Sequence, residues 1–276
     1  MPRRNYNPPL VNLIAKYTAW PHRDLIWQFA RRDILARYRG SLLGLGWSVL
    51  TPLLMLAAYT FVFRVVFGAR WKGVDIGAAE FAMQLYTGLI VFNFFSEYIV
   101  RAPRLVLDQP NLVKKVVFPL EILPWVALVA ALFHLAVGAA LLSVFVLAVR
   151  GSLALSMVAL PLVWLPLVPL MLGCGWLFAS LGVFVRDVGQ IIGLLVSLLM
   201  FMSPVFFPVS ALPEKWQLLL HLNPLTLIIE QTRAIVMDGL WPDWAALGLH
   251  LLLSVAVAWA GAAWFAATRK GFADVI

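Results

Sequence analysis

Four arginines crowd into nine positions, Arg31, Arg32, Arg37 and Arg39, and the 24 residues that follow, Gly40 to Phe63, carry no charge before Arg64. Guanidinium groups at that density serve one of two ends. They hold one side of a membrane span in the cytoplasm, where Lys would serve as well, or they grip phosphate through paired N–H donors, for which the planar fork of Arg is better suited than Lys. A second polar pair, Glu230 and Arg233, stands one turn apart inside the apolar stretch "LTLIIEQTRAIVM". Aromatic rings form the third set: Tyr59, Phe63 and Phe67 align at i, i+4 and i+8, and Phe92, Phe94, Phe95 and Tyr98 crowd a later segment. For any one of these rings, packing between helices or against lipid is the first reading.

Other reactive constellations are absent from the sequence. No G-x-x-x-x-G-K-[ST] loop occurs, so nucleotide phosphates are not cradled in that way, and no paired-Asp motif suits a metal-bound sugar nucleotide. His22, His134, His221 and His250 are dispersed and read as boundary or packing residues. Cys174, the single cysteine, lies in an apolar run and excludes an intrachain disulfide. A proton-coupled carrier needs acidic or His side chains near the bilayer midplane; only His134 approaches that depth, and in sequence it stands alone. Arg64 and Glu97 can snorkel to an interface, and Glu121 sits one turn inside another; all three read as anchors or helix–helix contacts.

The elements that must carry these residues follow from composition. The 276 residues are 63% hydrophobic and 12% charged, with a mean hydropathy of +0.91, and the apolar residues come in uncharged runs of about 20, the length that crosses ~30 Å of hydrocarbon as helix. An all-α integral membrane protein is therefore expected, as a single membrane domain over residues 1–276. Six spans are read at about 42–67, 81–100, 119–149, 153–185, 189–209 and 245–268. The net charge of +8 sits at the flanks of the spans, where lipid headgroups rather than nucleic acid explain it.

Basic residues set the orientation. Arg3, Arg4, Lys16, Arg23 and the four clustered arginines precede the first span, Arg101, Arg104, Lys114 and Lys115 lie between spans two and three, and Arg269 and Lys270 follow the last. The intervening loops are poorer, which puts both termini in the cytoplasm. The start has no apolar stretch with a small-residue cleavage site, so the first span is expected to be retained. Residues 20–39 read as an interfacial helix with Trp27, Ala30, Ile34 and Tyr38 on one face and Gln28, Arg32 and Arg39 on another. Pro204 and Pro208 should end span five. Beyond them, the external piece 208–243 holds two apolar stretches, 216–222 and 225–237, each too short to cross; they read as re-entrant helices, the second capped by Asn223 with Pro224 in its first turn.

Four stretches, in order, carry a family resemblance: "RRDILARYRGSLLGLGWSVLTPLLMLAAYTFVF", "NLVKKVVFPLEILP", "FVRDVGQIIGLLVSLLMFMSPVFFP" and "LNPLTLIIEQTRAIVMDG". Together they resemble the membrane subunit of ATP-binding-cassette exporters for polysaccharides, the O-antigen, capsule and teichoic-acid permeases. The resemblance implies a permease and no enzyme, working as a homodimer with two copies of a phosphate-loop ATPase that binds ATP and Mg2+, so that no cofactor is held by this chain. It implies a lipid-linked polysaccharide as cargo, taken from the cytoplasmic leaflet of the bacterial inner membrane. On this reading the arginine cluster meets lipid phosphate, and Tyr59, Phe63, Phe67, Phe92, Phe95 and Tyr98 offer a smooth lining on which sugar rings slide. The segment 101–115, with Arg104, Leu105, Leu107, Asp108, Asn111 and Leu112, docks on the ATPase. Pro204, Asn223, Pro224, Glu230 and Arg233 surround an external gate, the last two facing each other or the channel. The same architecture would also serve a drug, a lipid or a lipo-oligosaccharide. Two further alternatives, an enzyme acting on a lipid-linked sugar and a membrane scaffold, have less in the sequence to support them.

Overall fold

The computed structural model describes residues 20–71, 73–114 and 118–276, and over these the protein is built of helices, with no strand among the described residues. Arg3, Arg4, Lys16 and Lys115 lie outside that set. Helix α1 (Arg23–Tyr38) precedes α2 (Trp47–Thr60), whose last turns widen into a π-helical segment over Phe61–Val66. After α3 (Ala78–Arg101), a short α4 (Pro110–Val113) leads into α5 (Leu123–Arg150), which stops at Gly151, in the left-handed conformation that closes a helix end. Pro166 interrupts the next run, leaving α6 (Leu160–Trp164) and α7 (Leu167–Phe184). Then come α8 (Val188–Phe201), α9 (Glu214–His221), α10 (Pro224–Asp238), α11 (Trp244–Thr268) and α12 (Phe272–Val275). Asn223 caps α10 by accepting from the Leu225 amide at 2.9 Å, as expected of Asn before Pro. Asp243 caps α11 at two amides, Ala245 and Ala246.

Among the described residues, five helical stretches are long and apolar enough to cross a membrane: Gly44–Val66, Ala78–Arg104, Leu120–Arg150, Leu155–Phe184 and Trp244–Val275. The fifth span expected at 189–209 emerges as the 14-residue α8 followed by non-helical chain to Pro208. At 1.5 Å per residue α8 reaches only about 21 Å. Pro204 accounts for the early stop, since it disfavours helix in the residue before it.

The helix ends sort into two groups. At one end Arg269 meets Glu121 at 2.7 Å, Phe184 packs on Phe272, and Arg101 bonds Asp33. At the other, Arg150 donates to the Met237 carbonyl at 2.5 Å and Trp164 to Thr232 at 3.0 Å. Helix α8 runs from the first group toward the second, where the carbonyl of Met202 accepts from Asn223 at 3.2 Å. Glu121, only 3% exposed, thus joins the start of α5 to the end of α11, a helix–helix contact as expected.

Helix α3 is the hub, in contact with α2, α5, α7, α8 and α10, and 72% of its central stretch is buried, against 6% for α2. The broadest helix pair is α7 with α11. Gly173 and Gly261 face each other there, so closely that a methyl built on Gly261 would lie 2.1 Å from the Gly173 carbonyl oxygen.

Candidate functional site

Helix α1 leans on the beginning of α5 through Ile26 and Ala30, which bury against Ile122 and Val126. Trp27 remains 63% exposed, so the buried seam is one position away from the aromatic face read in the sequence. Continuing that seam by helical steps brings Asp33 and Arg37 inward. Asp33 receives Arg101 through both carboxylate oxygens, at 3.0 and 2.8 Å. Arg37 donates to Glu97 at 2.5 Å. Beside it, His134 Nδ1 lies 2.8 and 3.0 Å from the two Glu97 oxygens, and His134 Nε2 lies 2.9 Å from the Tyr38 hydroxyl. One tautomer satisfies both contacts: Nδ1–H donates to the carboxylate, and Nε2 accepts from Tyr38.

Glu97 is a helix–helix contact, as expected, but His134 does not stand alone; the side chains are 19% and 16% exposed and hold one another. Arg37 leaves the set of phosphate-seeking arginines, because its charge is already taken. Burial is the largest influence on Arg37 and favours loss of its proton, but the pull of Glu97 outweighs it and raises its pKa. Burial likewise raises the Tyr38 phenol, with Arg37 opposing. Four groups from three helices therefore form one polar cluster, at the edge of a cavity of about 630 Å³ between α1, α2, α3 and α5.

Arg31, Arg32 and Arg39 stay on the surface and line an open groove of about 750 Å³ with Trp27, Gln28 and Gly44. Arg32 also stacks over Phe29, 4.7 Å from the ring centre. The aromatic set divides. Phe92, Phe95 and Tyr98 are 4%, 7% and 1% exposed within α3, so they are core and cannot line a path outside this chain. Tyr59 and Phe63 are partly buried against Phe206, with ring centres 5.2 and 4.6 Å away, while Phe67 is 70% exposed.

The segment after α3 folds back as a 3-10 turn, Ala102–Arg104, and reaches α4. Arg104, Asp108 and Asn111 are exposed, and Leu105, Leu107 and Leu112 half-buried. The turn is seated on the end of α7: a methyl on Gly182 would lie 2.0 Å from the Pro103 carbonyl oxygen. Movement of this segment is thereby tied to α3 and α7 together.

At the opposite end, α10 is a protein-covered helix, with Leu225, Ile228, Ile229, Thr232 and Ile235 buried. Arg233 does not face a channel. It is 7% exposed, donates to the Pro204 carbonyl at 2.9 Å and to those of Gln84 and Val205 at longer range, and lies 4.6 Å from the centre of Trp71. Glu230, half-buried, adds its attraction to that cation. Sequence reasoning missed this use of Arg233 because carbonyl acceptors carry no residue signature.

The chain is similar along nearly its whole length to the O-antigen export system permease protein RfbA of Myxococcus xanthus, with 28% identity over 259 residues, 93% of this chain and 97% of the other. A protein of the same name from Klebsiella pneumoniae is 26% identical over 230 residues, 83% and 86% of the two chains. The polysialic acid transport protein KpsM of Escherichia coli is 24% identical over 233 residues, 84% and 88%. The matched region of the family spans α1 to α10: residues 24–237 fit the ABC-2 type transporter membrane domain, and this multi-pass chain belongs to that family.

Proposed function

We propose that this chain is the permease subunit of a bacterial inner-membrane exporter that moves a lipid-linked polysaccharide out of the cytoplasmic leaflet. The observation that carries the reading is the end-to-end similarity to an O-antigen export permease, covering 97% of that protein. Two copies of the chain work with two copies of a separate ATPase that binds ATP and Mg2+, and both termini are cytoplasmic. The exposed apolar faces of α2 and α8, with Leu53, Leu54, Leu194 and Leu198 outward, suit a second copy and lipid. On this reading α8 and the chain to Pro208 make a sixth pass, α9 and α10 re-enter from outside, and residues 101–115 carry the ATPase stroke. Arg31, Arg32 and Arg39 meet lipid phosphate at the groove on α1.

Deletion of the gene in its native host tests the reading. Surface polysaccharide should disappear while its lipid-linked form builds up inside, and a plasmid copy should restore export. Unchanged surface polysaccharide in the deletion strain would refute the proposal.

A further inference from the structure

The cavity beside the Arg37–Glu97–His134–Tyr38 cluster is walled by residues of this one chain. Its walls are the end of α1, the first turns of α2 with Trp47, Ser48 and Thr51, the later part of α3 with Asn93 and Ser96, and α5. Glu97 is four residues from the end of α3 and Asn93 eight, which sets them about 6 and 12 Å inside it. Ionisable and amide groups at membrane depth are costly against lipid and are kept where something polar meets them.

The chemistry of the walls restricts what that is. Each cation has its own carboxylate, Arg37 with Glu97 and Arg101 with Asp33. The imidazole has its Nδ1 on the Glu97 carboxylate and its Nε2 on the Tyr38 hydroxyl. The lining therefore has no excess positive charge to attract an anion, unlike the groove on the outer side of α1 with Arg31, Arg32 and Arg39. It does have mixed donors and acceptors. The Asn93 amide and the Thr51 hydroxyl make no hydrogen bond among the described residues, and a carboxylate offers about four acceptor positions, of which Arg37 and His134 use only part. Trp47, 40% exposed, adds a flat apolar face on the same cavity. A volume of about 630 Å³ is ample for a small ring compound.

We infer that this cavity is a binding site for an uncharged, hydroxylated ring, that is, for a neutral sugar unit, held by Glu97, Asn93 and Thr51 and stacked on Trp47. The inference rests on the proposal that the cargo is a polysaccharide and adds a second contact for it: phosphate belongs to the arginine groove, and the first sugars belong to the neutral cavity behind it. Tyr38 links the two, since it lines both.

The test uses the full-length chain in lipid nanodiscs. The uncharged probes are methyl α-mannopyranoside, methyl β-galactopyranoside and methyl N-acetyl-β-glucosaminide, and inorganic pyrophosphate is the anionic one. Saturation-transfer NMR should show transfer to at least one glycoside. That signal should fall at least fivefold in Thr51→Val/Asn93→Leu and in Trp47→Ala, which removes only an exposed ring, and should persist in the lipid-facing control Leu252→Ala. No transfer to any glycoside, transfer indifferent to Trp47→Ala, or a signal abolished by pyrophosphate would each overturn the inference. Export is scored separately in cells. A deletion strain that loses surface polysaccharide while the purified permease ignores all three glycosides rejects the cavity and keeps the exporter; glycoside binding in a chain whose deletion leaves export intact does the reverse.

Discussion

Replacing one glycine by alanine should have opposite effects at two places on α11. Gly248 has nothing within 4 Å of an added methyl, whereas the methyl of Gly261→Ala would sit 2.1 Å from the Gly173 carbonyl oxygen. Alanine gains up to about 1 kcal/mol of helix preference over glycine, so Gly248→Ala should be neutral or stabilising. At Gly261 the obstacle is backbone, which has no rotamer to move aside. Helices α7 and α11 must part by about 1 Å, and a gap of that size forfeits up to about half of each dispersion contact along the seam. Overpacking of this kind costs about 1–3 kcal/mol, and the upper end applies where backbone meets backbone. Unfolding of the purified protein in mixed micelles, followed by circular dichroism against increasing sodium dodecyl sulfate, should show Gly261→Ala unfolding earlier by about 2 kcal/mol net and Gly248→Ala at or above wild type. Gly173→Ala should behave like Gly261→Ala, and the double variant should lose less than the two singles together, because helices once parted accommodate both methyls. Equal stability of Gly261→Ala and Gly248→Ala would refute the backbone-contact argument.

Arg233→Ala should destabilise the fold by about 1–3 kcal/mol, because the Pro204 carbonyl loses its buried donor; the same denaturant titration reads it, and wild-type stability would count against the bonding described. Arg31→Lys/Arg32→Lys/Arg39→Lys should reduce export several-fold if these groups grip phosphate through paired donors; full export, measured by surface-polysaccharide immunoblot, would leave them only an orienting role. Cysteines at 105–112 in a cysteine-free background should cross-link to the ATPase subunit in membranes, most readily at the exposed Asp108 and Asn111, and an intact complex with no cross-link at any position would reject the coupling role. In α10, single cysteines at Glu230 and Gln231 should react with a membrane-impermeant thiol reagent and those at Ile228 and Ile229 should not. A gate further requires that pattern to change when ATP hydrolysis is trapped.

What the sequence disclosed was local or periodic. Runs of apolar residues placed five crossing helices within a few positions, and Asn223–Pro224 marked the start of α10 because a cap and its helix are neighbours in the chain. The cluster at Glu97 was hidden for the opposite reason: Arg37 is 60 residues before it and His134 37 after it, so no window of sequence contains the set. The aromatic lining failed on α3 because that helix is surrounded. Its low mean hydropathy among the crossing helices, 1.2 against 1.8 or more for the others, was the available sign that its faces meet protein rather than lipid. Charge in an apolar helix suggests a channel or a charged partner; Arg233 does feel Glu230, but its hydrogen bonds go to buried carbonyls at the break before Pro208, which no residue type announces.

The central position of α3 has a consequence for how the protein is made. The chain leaves the ribosome from its N-terminus, so α3 emerges second among the crossing helices, while α7 and α10, which cover it, appear roughly 70 to 150 residues later. For that interval the least apolar crossing helix lacks the cover of α7 and α10 while carrying Glu80, Gln84, Asn93 and Glu97. When α3 emerges, only α1 and α2 of its eventual companions exist, with α5 following next, and α1 offers Arg37 and Asp33 as the first counter-charges for Glu97 and Arg101. By order of synthesis α1 is thus available to pair with the charged end of α3 before the remainder of the bundle exists. Weakening it should first be felt in newborn chains, as degradation during synthesis, before any defect in the mature protein.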